Sequence, residues 1–388
     1  MIDYVKYIQQ YLSQSLAAVA EAQACELDLT AIQVESTKDS KHGDYASNVA
    51  LILARTTKMS PRDLATKIIA AMEPDEAFIA IAIAGPGFIN FTIAPAQLRQ
   101  VIPAVLQAKQ QYGGSALGAG QSVHVEYVSA NPTGPLHVGH GRGAAFGACV
   151  ASLLQAVGFR VHQEYYVNDA GRQMRILGLS VWLRSLELQG VTCSLPANAY
   201  QGDYIRDIAG QLLEQHPLLP AITDVSFVAA MAQDFTQEQG DLYIDALIEK
   251  AVELLGRDNF EVIRRFSLEQ ILQDIKEDLT EFGVCHDTWF YESRLMEEGL
   301  LDASLQLLTD HGYVFEKEGA TWFRATEFGD DKDRVLVREN GQPTYFASDV
   351  AYHLYKYRQG YDLMIDIFGA DHHGYMARIN AFLQGLSE

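Results

Sequence analysis

Ser122-Val123-His124-Val125-Glu126-Tyr127-Val128-Ser129-Ala130-Asn131-Pro132-Thr133-Gly134-Pro135-Leu136-His137-Val138-Gly139-His140-Gly141 contains a strand, a loop and the start of a helix. The apolar pattern predicts a strand over 122–128, a helix over 139–157 and a second strand over 160–167. That is a βαβ unit, which implies a parallel pair joined by a right-handed crossover. In such sheets ligands bind beyond the carboxyl ends of the strands. Here that edge carries two histidines, three apart, where the helix begins. A helix N-terminus offers free N–H groups and a positive dipole end, so it favours anions such as phosphate. Gly139 has no side chain and lets a flat ring approach the backbone. Together these features suit a nucleotide triphosphate whose charge shifts during reaction. By itself, the His-X-Gly-His spacing also fits a loop with two incidental histidines.

Working outward, residues 2–23 read as an amphipathic helix, 45–56 as another, and Ser60-Pro61-Arg62-Asp63 as a capped helix start. Strands are predicted at 77–84 and 88–93, and a helix at 95–111. The Gly/Ala-rich stretch 113–120 reads as a linker, which divides the chain into domains 1–115 and 116–388. In the second, 201–286 reads as helical and very acidic, with short strands near 313–316, 321–325 and 334–338. A helix over 350–357, a strand over 363–368 and a helix over 372–385 follow. The expected fold is α/β: a Rossmann-like, doubly wound parallel sheet carrying a largely helical insertion at about 190–345, preceded by a small α+β domain.

The 388 residues carry 29 Lys and Arg against 50 Asp and Glu, a net charge of −21. That balance argues against a nucleic-acid partner until its distribution is examined. Residues 1–175 hold 13 basic and 14 acidic side chains, whereas 176–388 hold 16 and 36. The first part is nearly neutral, so the global figure does not exclude an RNA face. No apolar run approaches the ~20 residues of a membrane span, and the N-terminus does not read as a secretory signal. The four cysteines, Cys25, Cys149, Cys193 and Cys285, form no C-x-x-C pair. They suggest neither a disulfide framework nor a zinc ribbon, and they suit a reducing cytoplasm.

A second chemically rich segment follows the strand at 363–368: Gly369-Ala370-Asp371-His372-His373-Gly374-Tyr375. Adjacent side chains rarely point at one ion, so no metal site is expected there. With both segments in view, the chain resembles the arginyl-tRNA synthetase family of class I aminoacyl-tRNA synthetases. The segment from Ser129 to His140 is similar to the family's first signature. The likeness continues in Tyr166-Val167-Asn168-Asp169-Ala170-Gly171-Arg172-Gln173, in Tyr345-Phe346-Ala347-Ser348-Asp349-Val350 and in the segment from Gly369 to Tyr375. Gly43-Asp44-Tyr45-Ala46-Ser47-Asn48 and Ala84-Gly85-Pro86-Gly87-Phe88-Ile89-Asn90-Phe91 resemble the family's additional N-terminal domain, which contacts the outer corner of tRNA.

The resemblance implies activation of L-arginine by ATP, with magnesium accompanying the nucleotide, and transfer to tRNA(Arg) by a monomeric enzyme. It implies that His137 and His140 are catalytic and contact phosphate, and that Pro135, Gly139, Gly369, Asp371 and His372 complete the ATP site. Glu126 and Asp349 match the guanidinium-binding acids, Tyr345 the pocket tyrosine, and Ser129 and Asn131 the positions that hold the α-amino group; His372 matches beside arginine. Carboxylates suit the fork of a guanidinium. Tyr345 and Asp349, four apart, could share a face across a strand-to-helix junction. Asn168, Asp169 and Gln173 match a family motif that is open to either a structural role or substrate contact.

Two patterns depart from this picture. Lys58-Met59-Ser60 begins like the second class I signature but runs into Pro61-Arg62 ahead of the nucleotide loop, so it reads as a helix cap. No other copy of that signature is present, and Gly134 stands where some family members carry a substitute lysine. The expectation at this level is a chain truncated before that signature and the anticodon-binding domain, with weak or no activation on its own. Rival readings are a non-catalytic tRNA-binding fragment and a small-molecule nucleotidyltransferase with a His-X-Gly-His loop.

Overall fold

The computed structural model describes residues 3–386 apart from 24–27, 194, 218, 220–227, 229, 230, 232–234, 237, 238 and 370–375. The chain divides into two compact units, Met1–Gly113 and Gly114–Glu388. The first contains α1 (Tyr4–Gln23), β1 (Val34–Ser36), β2 (Tyr45–Ser47), α2 (Val49–Thr57), α3 (Pro61–Ala70), β3 (Phe78–Ala84), β4 (Phe88–Ile93), α4 (Pro95–Arg99) and α5 (Val101–Ala108). Its antiparallel sheet has the order β1-β2-β4-β3. Ile8, Leu12 and Leu16, four apart on one face of α1, are fully buried with Leu64, Ile68 and Phe91.

Tyr45-Ala46-Ser47, expected to open a helix, is instead a strand paired with β4. The cause is the preceding turn. Gly43 has φ +74°, and a Cβ there would lie 2.6 Å from the Phe91 carbonyl oxygen. The Asp44 carboxylate accepts from the Ile93 N–H at 2.7 Å, which ties the turn to β4. Lys58-Met59-Ser60 is a helix junction, as read from the sequence. Lys58 closes α2 in the left-handed conformation, and Ser60 Oγ accepts from Asp63 N at 3.1 Å to cap α3.

The second unit runs β5 (Ser122–Glu126), α6 (Val138–Ala156), β6 (Arg160–Val167), α7 (Arg172–Leu188), α8 (Asp203–Gln215), α9 (Gly240–Leu255), α10 (Arg257–Glu281), β7 (Thr288–Tyr291), α11 (Arg294–Glu297), α12 (Leu300–Asp310), β8 (Val314–Lys317), β9 (Ala320–Phe323), β10 (Arg334–Val337), α13 (Tyr345–Arg358), β11 (Leu363–Asp366) and α14 (Met376–Leu386). Its main sheet is parallel with the order β11-β5-β6-β7. β7 was not anticipated. Its Thr-Trp-Phe-Tyr run is too short to signal alternation, yet it pairs with β6 from Glu164↔Thr288 to Val167↔Tyr291. The expected insertion at 190–345 is therefore interrupted. The helical segment returns to the parallel sheet at β7 before β8–β10 form a separate antiparallel sheet.

β5 explains how the sheet is used. Val123 and Val125 point into the main core, while His124 and Glu126 alternate to the other face and are also buried. α7 is apolar nearly all round, so it is buried between neighbours rather than lying on the surface. α6 lies close to β5's end through Gly147, where an added Cβ would sit 2.2 Å from the Tyr127 ring. Gly147→Ala should therefore lower stability by about 1–3 kcal/mol through overpacking, read as a reduced urea midpoint. No described helix is long and apolar enough to cross a membrane.

Candidate active site

The loop after β5 is held in an uncommon conformation. Val128 and Ser129 both have positive φ, 68° and 41°. A β-branched residue there is a real outlier and persists only where its surroundings over-determine it. Ser129 supplies part of that constraint: its Oγ donates to Glu126 Oε1 at 3.0 Å and accepts from Tyr166 N at 3.1 Å. Tyr165 OH donates to the Ala130 carbonyl at 2.9 Å. Further along, Tyr204 OH of α8 donates to the Thr133 carbonyl at 2.8 Å. A Cβ on Gly134 would meet that same phenol oxygen at 2.8 Å. Asn131, Pro135 and Gly139 are exposed along this loop and the first turn.

His137 is the N-cap of α6, and its Nδ1 accepts from Gly139 N at 3.1 Å. His140 Nδ1 accepts from His137 N at 3.3 Å, so the two imidazoles form a reciprocal cap. Their rings stack with centroids 3.7 Å apart. Because each Nδ1 accepts from a backbone N–H, each neutral ring carries its proton on Nε2 and can donate it to an anion. Burial, with His137 as neighbour, pushes the His140 pKa down and favours that neutral form. Gly139 does admit a flat ring: a Cβ there would lie 2.9 Å from His137 Cε1. The ring in question is the imidazole two residues before it.

Tyr345 and Asp349 both lie in α13, whose start at 345 is earlier than the sequence suggested. Thr344 caps it, its Oγ accepting from Ala347 N at 3.4 Å, so the two residues share a helix rather than span a junction. Tyr345 is 62% exposed and is not core packing. It lines a cleft of about 1200 Å³ with Asp169, Glu292, Ser348 and Arg172. Asp349, one turn further along the helix, is not among the residues that line this cleft. Burial, then Glu292 and Glu126, push its pKa up to about 8. Glu292 was missed in the sequence. It follows β7, is buried, and its pKa is also raised by burial, with Asp169 adding to the rise. With its amide nitrogen turned toward these acceptors, Asn168 donates to Glu292 Oε2 at 2.8 Å and the Ala170 carbonyl at 3.0 Å.

Glu126 is placed differently from Asp349. Its Oε2 pairs with Lys356 Nζ at 3.0 Å, and its Oε1 accepts from Ser129. Asp169 is structural in this arrangement: its Oδ1 accepts from Ser293 N at 2.8 Å and its carbonyl accepts from Arg264 at 3.0 Å. It thereby fastens the turn that carries Glu292. Gln173 is exposed on α7, and Gly369 is exposed after β11. Asp371 and His372 lie outside the described residues. Among the described residues, no group of three or more His, Cys, Asp or Glu is arranged to hold a metal ion.

A parallel sheet whose first crossover helix begins at a paired His-X-Gly-His cap has the architecture of a class I aminoacyl-tRNA synthetase catalytic domain. Residues 101–387 match the family model for the catalytic domain of class I (R) tRNA synthetases, and residues 6–93 match that for the arginyl tRNA synthetase N-terminal domain. The arginine–tRNA ligase of Coxiella burnetii (strain RSA 331 / Henzerling II) is 52% identical over 98% of this chain and 65% of its own length. That of Legionella pneumophila (strain Corby) is 49% identical, with the same coverages. A solved chain assigned as an arginyl tRNA synthetase from Campylobacter jejuni shares 32% identity with a TM-score of 0.63, covering 76% of this chain and 57% of the other. The chain belongs to the arginyl-tRNA synthetase family, and it spans slightly under two thirds of the length of the curated relatives it matches.

Proposed function

We propose that this chain binds L-arginine and ATP at the carboxyl edge of its parallel sheet and joins them as arginyl-adenylate, with tRNA(Arg) as the final acceptor. In that step the arginine carboxylate attacks the α-phosphorus, forming a C–O–P link as pyrophosphate leaves. The Nε2–H groups of His137 and His140 and the start of α6 would receive the charge that moves onto pyrophosphate. Magnesium would arrive with ATP on its phosphates. Asn131 and Ser129 would meet the α-amino group, and Tyr345 would cover the side chain. The first unit would contact the outer corner of tRNA.

One observation carries the reading: Glu292, which is buried, and the half-buried Asp349 beside it both have raised pKa values, and neither is in an ion pair among the described residues. Buried carboxylates in that state await a cation. A guanidinium supplies one that cannot deprotonate. Calorimetry with L-arginine and with L-citrulline tests this, because citrulline keeps the planar shape and lacks the charge. Arginine should bind at least ~100-fold more tightly. Equal affinities would sink the proposal.

A further inference from the structure

The loop between β5 and α6 is tied at both ends and once in its middle. Near β5, Ser129 and Ala130 are held from β6 by Tyr166 N and Tyr165 OH. At α6, His137 and His140 form the reciprocal cap. Between these ends lies Thr133, whose carbonyl accepts from Tyr204 OH at 2.8 Å. No backbone N–H among the described residues donates to that carbonyl. Tyr204 comes from outside the sheet, in the first turn of α8. α8 has anchors of its own. Ile205, Ala209 and Leu212 are fully buried in the main core, and the Tyr200 N–H, just ahead of the helix, donates to Ser180 Oγ of α7 at 3.0 Å. Gly202 lets the phenol ring fold back over the helix start, since a Cβ there would sit 2.3 Å from Tyr204 Cε1. Burial, with Tyr200 as neighbour, raises the Tyr204 pKa, so the phenol keeps the proton it donates.

Gly134 shows the same contact from the loop's side. It does not have a positive φ, so its backbone conformation does not call for glycine. Space does. A Cβ there would lie 2.8 Å from Tyr204 Oη and 3.0 Å from Tyr204 Cζ, and all three nearest atoms belong to Tyr204. We propose that Tyr204 is a positioning residue of the nucleotide loop. It sets the Thr133-Gly134-Pro135 segment, and through it the entry of the chain into His137, from the helical region rather than from the sheet. Gly134 is the complementary half: its missing side chain is the space the phenol fills. The inference rests on the ATP reading above. His137 lies four residues beyond Thr133, and Pro135 between them narrows the conformations that could absorb a shift. Displacement at the tie therefore reaches the Nε2–H donors, where an error of about 1 Å matters.

Calorimetry with ATP, and separately with L-arginine, tests this on the unaltered chain, Tyr204→Phe, Tyr204→Leu, Gly134→Ala and the double variant Gly134→Ala/Tyr204→Leu. Tyr204→Phe keeps the ring and removes the donor. It should weaken ATP binding by about fivefold and leave arginine within about twofold, because Ser129 has its own tie. Gly134→Ala should cost about tenfold in ATP affinity when Tyr204 is present, and less than about twofold in the Tyr204→Leu background, where the space is open. A tyrosine that merely packed α8 would lower Tm in its variants and leave the ratio of ATP to arginine affinity alone. Equal costs of Gly134→Ala in the two backgrounds, or Tyr204→Phe binding ATP within about twofold of the unaltered chain, overturn the inference. If Gly134→Ala does not fold, Tyr204→Phe decides by the same criterion. If the unaltered chain binds no ATP, the nucleotide reading fails and takes this inference with it. ATP binding with additive costs overturns the inference alone.

Discussion

Asp349→Asn should reduce L-arginine affinity by roughly 100- to 1000-fold while leaving ATP affinity within about threefold. The amide keeps the shape of the carboxylate and removes the charge that a guanidinium needs. ATP is spared because its proposed anchors, His137 and His140, lie on α6 rather than α13. The pH dependence follows from the Asp349 pKa of about 8. At pH 7 the carboxyl is mostly protonated, so arginine binding must expel a proton, and affinity should rise close to tenfold from pH 6 to 7 and about fivefold from pH 7 to 8. Stability runs the other way. A group with a raised folded-state pKa binds more protons folded than unfolded, so its contribution is lost as pH climbs from ~4 through ~8. Asp349→Asn removes that loss. The free variant should therefore melt several degrees higher than the unaltered chain at pH 9 and about equally at pH 4. Calorimetry and melts on the same samples check both halves, and equal loss of arginine and ATP binding would count against the assignment of Asp349.

Legibility in the sequence followed the range of the interactions involved. The β5–α6–β6 unit could be read almost to the residue, because alternation, a helix start and a short connection are local signals. The Lys58-Met59-Ser60 junction was readable for the same reason. β7 was not, because four residues between a long helix and a turn carry too little pattern, and only the edge of β6 selects them as a strand. Tyr45-Ala46-Ser47 was misread because the tie between Asp44 and Ile93 spans 49 residues. Within the site, His137, His140, Tyr345 and Asp349 could be singled out by resemblance. Glu292 had no local mark. Lys356 had one: Asp349, Tyr352 and Lys356 recur at helical spacing, a polar stripe on the face of α13 that turns inward. A lysine in such a stripe must find buried acids, and the row at the ends of β11, β5 and β6 supplies them.

The acidic excess takes on structure in this light. Much of it in the helical region is paired at the surface, as with Arg172 to Asp241 and Asp245, or Arg175 to Glu249. Such exposed pairs contribute little stability. The informative acids are the few that are buried, and they differ in what neutralises them. Glu164 answers to His124 and Tyr352, and despite burial its pKa is lowered. Burial would also raise Asp366, but Lys356 and His353 overcome it and hold that pKa well below the usual carboxylate range. Asp349 and Glu292 are the ones left raised. Net charge therefore said little about ligands, whereas the distribution of internal counterions separates acids that serve the fold from acids open to a substrate.

The nucleotide side can be separated from the fold by the choice of substitution at His137. This residue does two things at once: its Nδ1 caps α6, and its Nε2–H is left to donate. Alanine removes both functions. Asparagine is itself a strong N-cap, so it can replace the bond to Gly139 N while removing the distal donor. His137→Ala should lower stability by about 1 kcal/mol, and His137→Asn should leave it nearly unchanged. Both should weaken ATP binding by roughly tenfold, the scale of one hydrogen bond to a charged group. Combining His137→Asn with His140→Asn should extend the loss to about 100-fold, since both donors address the same phosphates. Arginine affinity should stay within about twofold in every case, the mirror image of Asp349→Asn. If His137→Asn instead retains full ATP affinity while only His137→Ala loses it, the histidine serves the helix and not the nucleotide, and the charge-stabilising role passes to His140 and the backbone N–H groups of α6.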